Sequence, residues 1–305
     1  MERPNVIVVT PHDLGDYLGC YGTPAASPNL DRLAAEGVVF ENHFSTGTIC
    51  SPSRGSIVTG CHPHTHGLMG LVHRGWELDV DRCPALPALL REAGYDTNLF
   101  GFQHEHWDPG RLGYEHVHRG DSTRCKDVYP LVADWLRRRK PSDGPFLAGI
   151  GHFETHRYGM NPSGFKLEEY TPADPSRVRV RPYLPDTPEI REDLAWFYGA
   201  IQHMDEQFGT LLAALDETGL AENTLLVFLS DHGASFIHSK ATLYDGGTKV
   251  ACLMRWPGRL PAGHRGTSLT SHVDVLPTIL NLAGLPAPAH VEGTDVTAPA
   301  EGRQQ

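Results

Sequence analysis

A cysteine, a proline and an arginine in one short stretch carry the strongest chemical signal in the sequence. Cys50-Ser-Pro-Ser-Arg54 is followed by a short apolar run that closes at Thr59-Gly60. Proline fixes the backbone at a helix start, and the unpaired amides of a first turn can hold an anion. The pattern predicts a loop that enters a helix, with the cysteine beside a place where an anion can bind. A lone cysteine near a helix start is more often a small buried apolar residue, so other parts of the chain must decide.

Two apolar runs lead directly into acidic and imidazole side chains. Residues 4–10 and 225–229 are continuous runs of mainly aliphatic residues. The polar residues that follow them are His12, Asp13, Asp231 and His232. Such runs are typical of strands buried on both faces of a parallel sheet, and ligands bind these sheets at the carboxyl ends of the strands. We expect these four side chains to lie at one edge of a sheet, although a single aspartate there more often caps the next turn.

Histidines follow two further predicted strands. Residues 96–101 and 146–151 have the same buried pattern and lead towards His104 and His156. A single histidine is more often a hydrogen-bonded core or surface residue. His104 and His156 are assigned to a functional site because they share a position at a strand end. The alternating imidazoles of residues 62–66 have no convincing carboxylate or thiol beside them, and we interpret this segment as a loop.

The remaining segments predict the elements that position these residues. Apolar side chains three or four positions apart predict the longest helix, from Thr187-Pro188 to about Thr218. Residues 158–188 are rich in Pro, Gly and charge, and we interpret them as a lid that faces the substrate. The other predicted elements are a helix that follows Ser27 as its N-cap, helices at 86–93, 128–140 and from 273, and strands at 38–44 and ending at 255.

The composition indicates a globular protein with one large domain. The chain has 305 residues, 40% hydrophobic and 21% charged, and a formal net charge of −11. This charge argues against a nucleic-acid partner, because phosphate backbones require clustered Lys and Arg. We expect one α/β domain over residues 1–295 and a disordered tail over residues 296–305.

The sequence also argues against a membrane partner. Its first residues lead straight into a strand pattern, and no apolar run is long enough to span a bilayer. We expect a cytoplasmic protein as the chain stands, or a periplasmic or secreted one if a leader was removed. The six cysteines lack CxxC spacing, so we expect neither a zinc ribbon nor a disulfide framework.

Taken in order, these motifs resemble those of the sulfatase family, in the alkaline phosphatase superfamily. The resemblance is carried by Cys50–Gly60, Asp13 with Leu18-Gly-Cys-Tyr-Gly22, Asp231-His-Gly233, and Lys240 before Leu243-Tyr244. It implies a doubly wound, mostly parallel sheet flanked by helices, with the small C-terminal sheet of other members absent or cut off. The spacing from Asp231 to Lys240, with the run Phe153–Arg157, looks most like the sulfoglucosamine sulfohydrolase branch.

The resemblance also implies a nucleophile and its partners. In the family, a formylglycine-generating enzyme oxidises the cysteine at the position of Cys50, and the hydrate of the resulting aldehyde attacks sulfur. The resemblance places Arg54 beside this nucleophile and Lys240 on the sulfate. It makes His156 the general acid for the leaving group and His104 the acceptor of a proton when the hydrate collapses.

A divalent metal ion is implied as well. Its ligands would be His12, Asp13, Asp231, His232 and oxygens of the modified Cys50. Carboxylate oxygens favour calcium, whereas two imidazoles favour zinc or manganese; magnesium is a further alternative.

The chain departs from the family pattern at two positions. His12 stands where the first of two aspartates is expected, and Phe102 stands where a lysine precedes the histidine at 104. We predict hydrolysis of a sulfate ester or sulfamate in a sulfated small molecule or sugar. Two alternatives stay open. One is a phosphodiester or phosphonate monoester hydrolase of the same superfamily, and the other is a non-catalytic protein that binds sulfated glycans.

Overall fold

Buried strands form one mixed sheet at the centre of the protein. The computed structural model describes residues 3–158, 164–165 and 168–300. The strands within these residues are β1 (Asn5–Thr10), β2 (Val38–Phe44), β3 (Asp96–Gly101), β4 (His116–His118), β5 (Phe146–Gly151), β6 (Thr224–Leu229), β7 (Cys252–Arg255) and β8 (His264–Ser271). They pair in the order β4-β3-β5-β1-β6-β7-β2-β8.

The central strand β1 sets the direction of the sheet. It pairs in parallel with β5, where Val6 faces Leu147, and with β6, where Val8 faces Val227. β3 is parallel to both β4 and β5, and β8 is parallel to β2. β7 is antiparallel to its neighbours β6 and β2. The predicted doubly wound, mostly parallel sheet is confirmed, and the carboxyl ends of its parallel strands share one edge.

Helices cover both faces of the sheet. They are α1 (Pro28–Glu36), α2 (Cys50–Thr59), α3 (Pro63–His66), α4 (Leu86–Glu92), α5 (Cys125–Arg138), α6 (Pro188–Thr218), α7 (Asp245–Thr248), α8 (Val275–Leu282) and α9 (Thr297–Ala300). α6 begins after Thr187, whose hydroxyl accepts from the amide of Ile190 at 3.4 Å, and ends before Gly219 with a φ of 69°. The described helices include none with the length and apolarity that crossing a bilayer requires.

Alternate residues of β1 pack into two different apolar layers. Ile7 and Val9 pack with the apolar faces of α1, α5 and α6, whereas Val6 and Val8 pack with those of α4 and α8. This division follows from the strand, since successive side chains point to opposite faces. Each fully buried aliphatic side chain contributes about 1.5–3 kcal/mol relative to exposure. With both faces covered, the carboxyl edge of the sheet is where polar groups gather.

Local structure differs from the sequence predictions at several places. Residues 62–66, interpreted as a loop, contain the single helical turn α3. α5 begins at Cys125, three residues before the predicted start, because the Cys125 amide donates to the buried carboxylate of Glu154 at 2.8 Å. Ser27 precedes α1, but its hydroxyl accepts from the amide of Gly19 at 2.8 Å instead of capping the helix. Both are tertiary contacts that local sequence does not encode.

The predicted tail and lid are described in part. α9 forms a helical turn, and Val296 and Ala300 are buried in the layer around α8, so these residues differ from the disordered tail expected over 296–305. Residues 301–305 lie outside the described residues, as do 159–163 and 166–167 of the predicted lid. Tyr170 and Leu184, within the lid segment, are buried against the α6 layer. These two anchors therefore belong to the core.

Candidate active site

Three elements deliver polar side chains to the carboxyl edge of the sheet. β1 ends just before His12 and Asp13, β6 ends just before Asp231, and β2 leads to α2, whose first residue is Cys50. Asp13 adopts a φ of 53°, in the left-handed region that non-glycine residues seldom occupy. Its amide donates to Asp231 Oδ1 at 3.0 Å. The turn after β1 is therefore fixed by the residue that follows β6.

Four of these residues form one buried cluster. His12, Asp13, Cys50 and Asp231 each offer a ligand atom, and these atoms all lie within 4.8 Å of one another. None of the four is more than 5% exposed. Two carboxylates so close together and so far from water require compensating positive charge.

His12 has the properties of a neutral metal ligand. Burial and then the charge of Arg54 hold the pKa of His12 well below its usual value, although Asp231 acts to raise it. Its Nδ1 lies 3.1 Å from Asp231 Oδ2, and neither ring nitrogen has a well-aligned hydrogen-bond partner among the described residues. A neutral imidazole with an unpartnered nitrogen beside two carboxylates fits the coordination of a divalent cation.

Asp231 is the most highly connected carboxylate of the cluster. Its Oδ1 accepts from the backbone amide of His232 at 2.9 Å, and its Oδ2 accepts from Arg54 Nε at 3.2 Å. Burial by itself would raise the pKa of Asp231, but the charges of His232 and Arg54, together with the contact from His12, hold it well below its usual range. Asp231 is therefore a carboxylate whenever the protein is folded at ordinary pH.

His232 links this carboxylate to the cysteine. Its Nε2 lies 3.3 Å from Cys50 Sγ and 3.4 Å from Asp13 Oδ1. Its Nδ1 faces the carbonyl oxygen of Gly233 at 2.9 Å, which places a proton on Nδ1. Burial lowers the pKa of His232, but Asp231, Cys50 and Asp13 outweigh it and raise the pKa to about 9. The group at position 50 therefore faces a ring nitrogen that can hold a proton.

Lys240 and His156 approach the cluster from the solvent side. Lys240 Nζ donates to both oxygens of Asp13, at 2.8 and 2.7 Å. Burial acts to lower the pKa of Lys240, but Asp13 and Cys50 outweigh burial and raise the pKa above its usual value. The ammonium charge is therefore retained. His156 Nε2 lies 3.9 Å from Asp13 Oδ2, and its side chain is 30% exposed. These two residues therefore lie on the side of the cluster that solvent can reach.

Arg54 supports the cluster from behind. It is 2% exposed, and its terminal Nη2 donates to the carbonyl oxygen of Thr10 at 2.8 Å. Its Nη1 lies 3.7 Å from the buried carboxylate of Glu105, and its guanidinium lies 5.8 Å from the centre of the Phe102 ring. Arg54 is therefore held on three sides by the ends of β1, β3 and β6.

His104 stands beside the cluster and contacts a second histidine. Its Nε2 is 3.0 Å from Nδ1 of His73, with the two rings 6° apart in plane. Its ring centre lies 5.4 Å from that of Phe102 and 6.5 Å from that of His12. Burial, then Arg54 and His73, lower the pKa of His104 to about 4. His104 is therefore a neutral imidazole whose orientation depends on the exposed His73.

The structure thus brings eight of the nine predicted site residues into one connected group, with His104 at its side. Sequence reasoning missed Glu105, the ion-pair partner of Arg54, and His73, the partner of His104. It also missed His272, whose Nδ1 lies 2.9 Å from the hydroxyl of Ser53, which donates to the carbonyl oxygen of Asp231. Glu105 follows β3 and carried a positional signal, whereas His73 and His272 carried none.

The chain is similar to known proteins of one family. The family model described as Sulfatase matches residues 4–285. An ulvan-active sulfatase of Formosa agariphila is 28% identical over 96% of this chain and 54% of its own length. Human N-sulphoglucosamine sulphohydrolase is 31% identical over 94% of this chain and 62% of its own length. The chain thus spans about half to two thirds of these relatives.

A solved structure shares the fold. It comes from work on glycosaminoglycan metabolism by Bacteroides thetaiotaomicron and matches with a TM-score of 0.84 at 22% identity. The match covers 100% of this chain and 78% of that one.

Proposed function

Because the chain belongs to the sulfatase family, we propose that it hydrolyses a sulfate ester or sulfamate at a modified Cys50. The observation that carries the proposal is the buried cluster, in which Cys50 opens α2 with ligand atoms of His12, Asp13 and Asp231 within 4.8 Å. We propose a sulfated sugar as the substrate class. The similarity to N-sulphoglucosamine sulphohydrolase supports that choice and the assignment to the sulfoglucosamine branch.

A divalent metal ion is implied by the family, and the cluster supplies donors for it. Asp13, Asp231 and His12 would hold it, together with the modified side chain of residue 50. His232, predicted as a further ligand, would instead face that side chain through Nε2. The carboxylates favour calcium, and the imidazole leaves manganese or zinc as alternatives. When bound, such an ion supplies Lewis acidity and fixed positive charge next to the nucleophile.

Oxidation of Cys50 by a formylglycine-generating enzyme would supply an aldehyde, whose hydrate is the nucleophile of the family. The chain provides its surroundings. His232 Nε2, 3.3 Å from the Cys50 side chain, can hold a proton there. Arg54 keeps Asp231 ionised and fixed in place, since its Nε donates to Oδ2 at 3.2 Å. Both contacts are fully buried, so their electrostatic effect is not weakened by solvent.

Lys240 and His156 would act on the substrate itself. The Lys240 side chain is 20% exposed, so its ammonium group can turn from one Asp13 oxygen to contact a sulfate oxygen. His156, at 30% exposure, lies nearer the opening and would donate a proton to the leaving oxygen or nitrogen. His104, held neutral, would accept the proton released as sulfate departs.

The proposal is tested first by the mass of the peptide that contains Cys50. The protein should come from its native host or from a host with the maturing enzyme. We expect formylglycine at position 50, and turnover of an aryl sulfate and of N-sulfated glucosamine that exceeds turnover of an aryl phosphodiester. Faster cleavage of the phosphodiester would favour the hydrolase alternative and contradict the sulfatase proposal.

One observation favours a second candidate, a non-catalytic protein that binds sulfated glycans. Phe102 occupies the usual lysine position, and its ring packs edge-on against His12 with centres 4.7 Å apart. An apolar ring cannot stabilise a developing negative charge as an ammonium would. Unmodified Cys50 in protein from a competent host, with tight glycan binding and no turnover, would support this candidate.

A further inference from the structure

A separate cavity opens on the far side of Phe102 from the buried cluster. It has a volume of about 350 Å³ and lies at the carboxyl ends of β3 and β4. Its lining includes Phe102, Gln103, Trp107, Val117, Arg119 and Asp121. None of the functional residues named above other than Phe102 lines it, so the steps proposed for the cluster leave this cavity unused.

Trp107 provides the cavity with an exposed aromatic face. Its side chain is 63% exposed, far more than is usual for the largest apolar residue. The loop that carries it is braced by its own polar groups. Gln103 Oε1 accepts from the amides of Glu105 and His106 at 2.8 and 3.0 Å, and the Asp108 amide donates to His106 Nδ1 at 3.0 Å. The backbone that carries the indole is thus fixed before any ligand arrives, which reduces the entropy lost on binding.

Two charged side chains of the cavity are free to bind a ligand. Arg119 and Asp121 are both exposed, and neither makes an ion pair or side-chain hydrogen bond within the described part of the chain. One offers donors and the other offers acceptors. Because their charges are opposite, they are poorly suited to holding an anion, but they match hydroxyl groups, which both donate and accept.

Phe102 joins this cavity to the cluster. Its ring lies in the cavity wall and also packs against His12, with ring centres 4.7 Å apart. A molecule bound at the cluster through its sulfate and extending past Phe102 would reach the cavity that Trp107 lines. An aromatic platform with a few aimed polar groups is the arrangement that binds a sugar ring, since the apolar face of the ring stacks while its rim forms hydrogen bonds.

From this arrangement we propose that the cavity is a second saccharide subsite, which takes an uncharged pyranose unit next to the sulfated one. Trp107 stacks on the ring, and Arg119 and Asp121 bind its hydroxyls. This inference rests on the proposed function, because it assumes that the sulfated group occupies the cluster. It makes the substrate an oligosaccharide or polysaccharide rather than a single sugar.

The test uses neutral sugars, so it does not depend on sulfate turnover. The full chain is titrated with cellotriose, chitotriose and galactotriose by calorimetry, in the wild type and in Trp107→Ala, Trp107→Phe and Trp76→Ala. We expect at least one trisaccharide to bind, with affinity reduced about tenfold in Trp107→Ala and less in Trp107→Phe. Trp76, also exposed at 45% but outside the cavity lining, is the matched control and should leave binding unchanged.

Two results would overturn the subsite. In the first, none of the three trisaccharides binds the wild type; in the second, Trp107→Ala binds as well as the wild type while its circular dichroism spectrum shows a folded protein. Failure of the sulfatase proposal would look different. It would appear as unmodified Cys50 or absent aryl sulfate turnover, with the trisaccharide titration unaffected.

Discussion

The carboxyl edge of the sheet contains two regions that differ in burial and in charge. The central region, at the ends of β1 and β6, holds Asp13 and Asp231 with 0% exposure. The outer region, at the ends of β3 and β4, holds His104 half-buried and Trp107 at 63% exposure. Fixed charges are effective where water is excluded, whereas exposed side chains can meet many ligands. From this difference we expect the central region to hold the nucleophile and the outer region to select the substrate, with His104 as the outer residue that takes part in the proposed chemistry.

Phe102 marks the boundary between the two regions. On one side its ring contacts His12, and on the other it lines the cavity beside Trp107. The family's usual lysine at this position would extend the charged region outward. In this chain the positive charges that pair with the buried carboxylates, Arg54 and Lys240, both come from the central side. If the comparison is right, changes in the central region should abolish turnover, and changes in the outer region should only modulate it.

The largest effect is expected from Cys50→Ala. Removing the precursor of the nucleophile should reduce aryl sulfate turnover by about 10⁴-fold or more, as loss of a covalent nucleophile does in other hydrolases. The side chain is small and contacts mainly His232, so thermal unfolding should stay cooperative. Initial rates with saturating substrate provide the measurement, and Cys20→Ala, which changes a partly buried thiol elsewhere, is the control. Residual turnover near the wild-type rate would place the nucleophile outside the central region.

Lys240→Ala should have the next largest effect. Loss of a preorganised cation at a developing negative charge typically reduces kcat by about 10²–10³-fold. The variant should remain folded, because the backbone amide of Asp13 still donates to Asp231 and fixes the turn after β1. Lys249→Ala changes a neighbouring lysine without such a contact and should keep its rate. Unchanged kcat in Lys240→Ala would remove this lysine from the site.

The central region was largely predictable from sequence because its parts are local motifs at strand ends. The strands predicted at 4–10 and 225–229 agree with β1 and β6 to within one residue, and the helix predicted from 188 to about 218 agrees with α6. Once parallel strands are assigned, their carboxyl ends must share an edge. The approach of Asp13 to Asp231 then follows, although these residues are more than two hundred positions apart in sequence.

The outer region could not be predicted in the same way. His73 meets His104 through a turn after α3, and no periodicity or spacing relates the two. Nor does a local pattern show that Glu105 lies beside Arg54, since the pairing depends on how β3 and α2 pack. The start of α5 at Cys125 has the same origin, because its amide is paired by a distant carboxylate, that of Glu154. Tertiary contacts decide these features, and a single sequence does not contain them in readable form.

Stability below neutral pH should depend on His272, which lies beneath the central region. Burial lowers its pKa to about 3, and it is held neutral between Ser53 and the carbonyl oxygen of Ser230. The unfolded chain binds a proton near pH 6.5, so it binds more protons than the folded chain below that pH. The free energy of unfolding should therefore fall with decreasing pH by about 1.4 kcal/mol per unit, from about 6.5 towards 3.

Urea unfolding at several pH values measures this slope. His272→Gln cannot take up the proton, so its stability should decline less steeply by about that amount per pH unit. His64→Gln, at an exposed histidine, should follow the wild-type curve. Equal slopes in all three proteins would show that His272 is not buried in its neutral form, and that acid acts on the central region through other groups.

The smallest effect is expected in the outer region, at His73. Its ring is nearly parallel to that of His104, and the hydrogen bond between them measures 3.0 Å. A hydrogen bond of this kind contributes about 1 kcal/mol, so His73→Ala should reduce kcat about fivefold with little change in KM. His73→Gln keeps a side-chain amide and should recover most of that loss. His116→Ala, at an exposed histidine on the outer strand β4, is the control.

The pattern among these variants distinguishes positioning from packing. If His73 orients His104, His73→Gln restores the kcat that is lost in His73→Ala. The pH dependence of kcat then also differs between His73→Ala and the wild type. If instead His73→Ala behaves like His116→Ala, then Phe102, with its ring 5.4 Å from that of His104, holds the imidazole by packing alone. In that case His73 would have no part in the chemistry of the central region, although it lies within hydrogen-bond distance of His104, and the outer region would contribute to binding only.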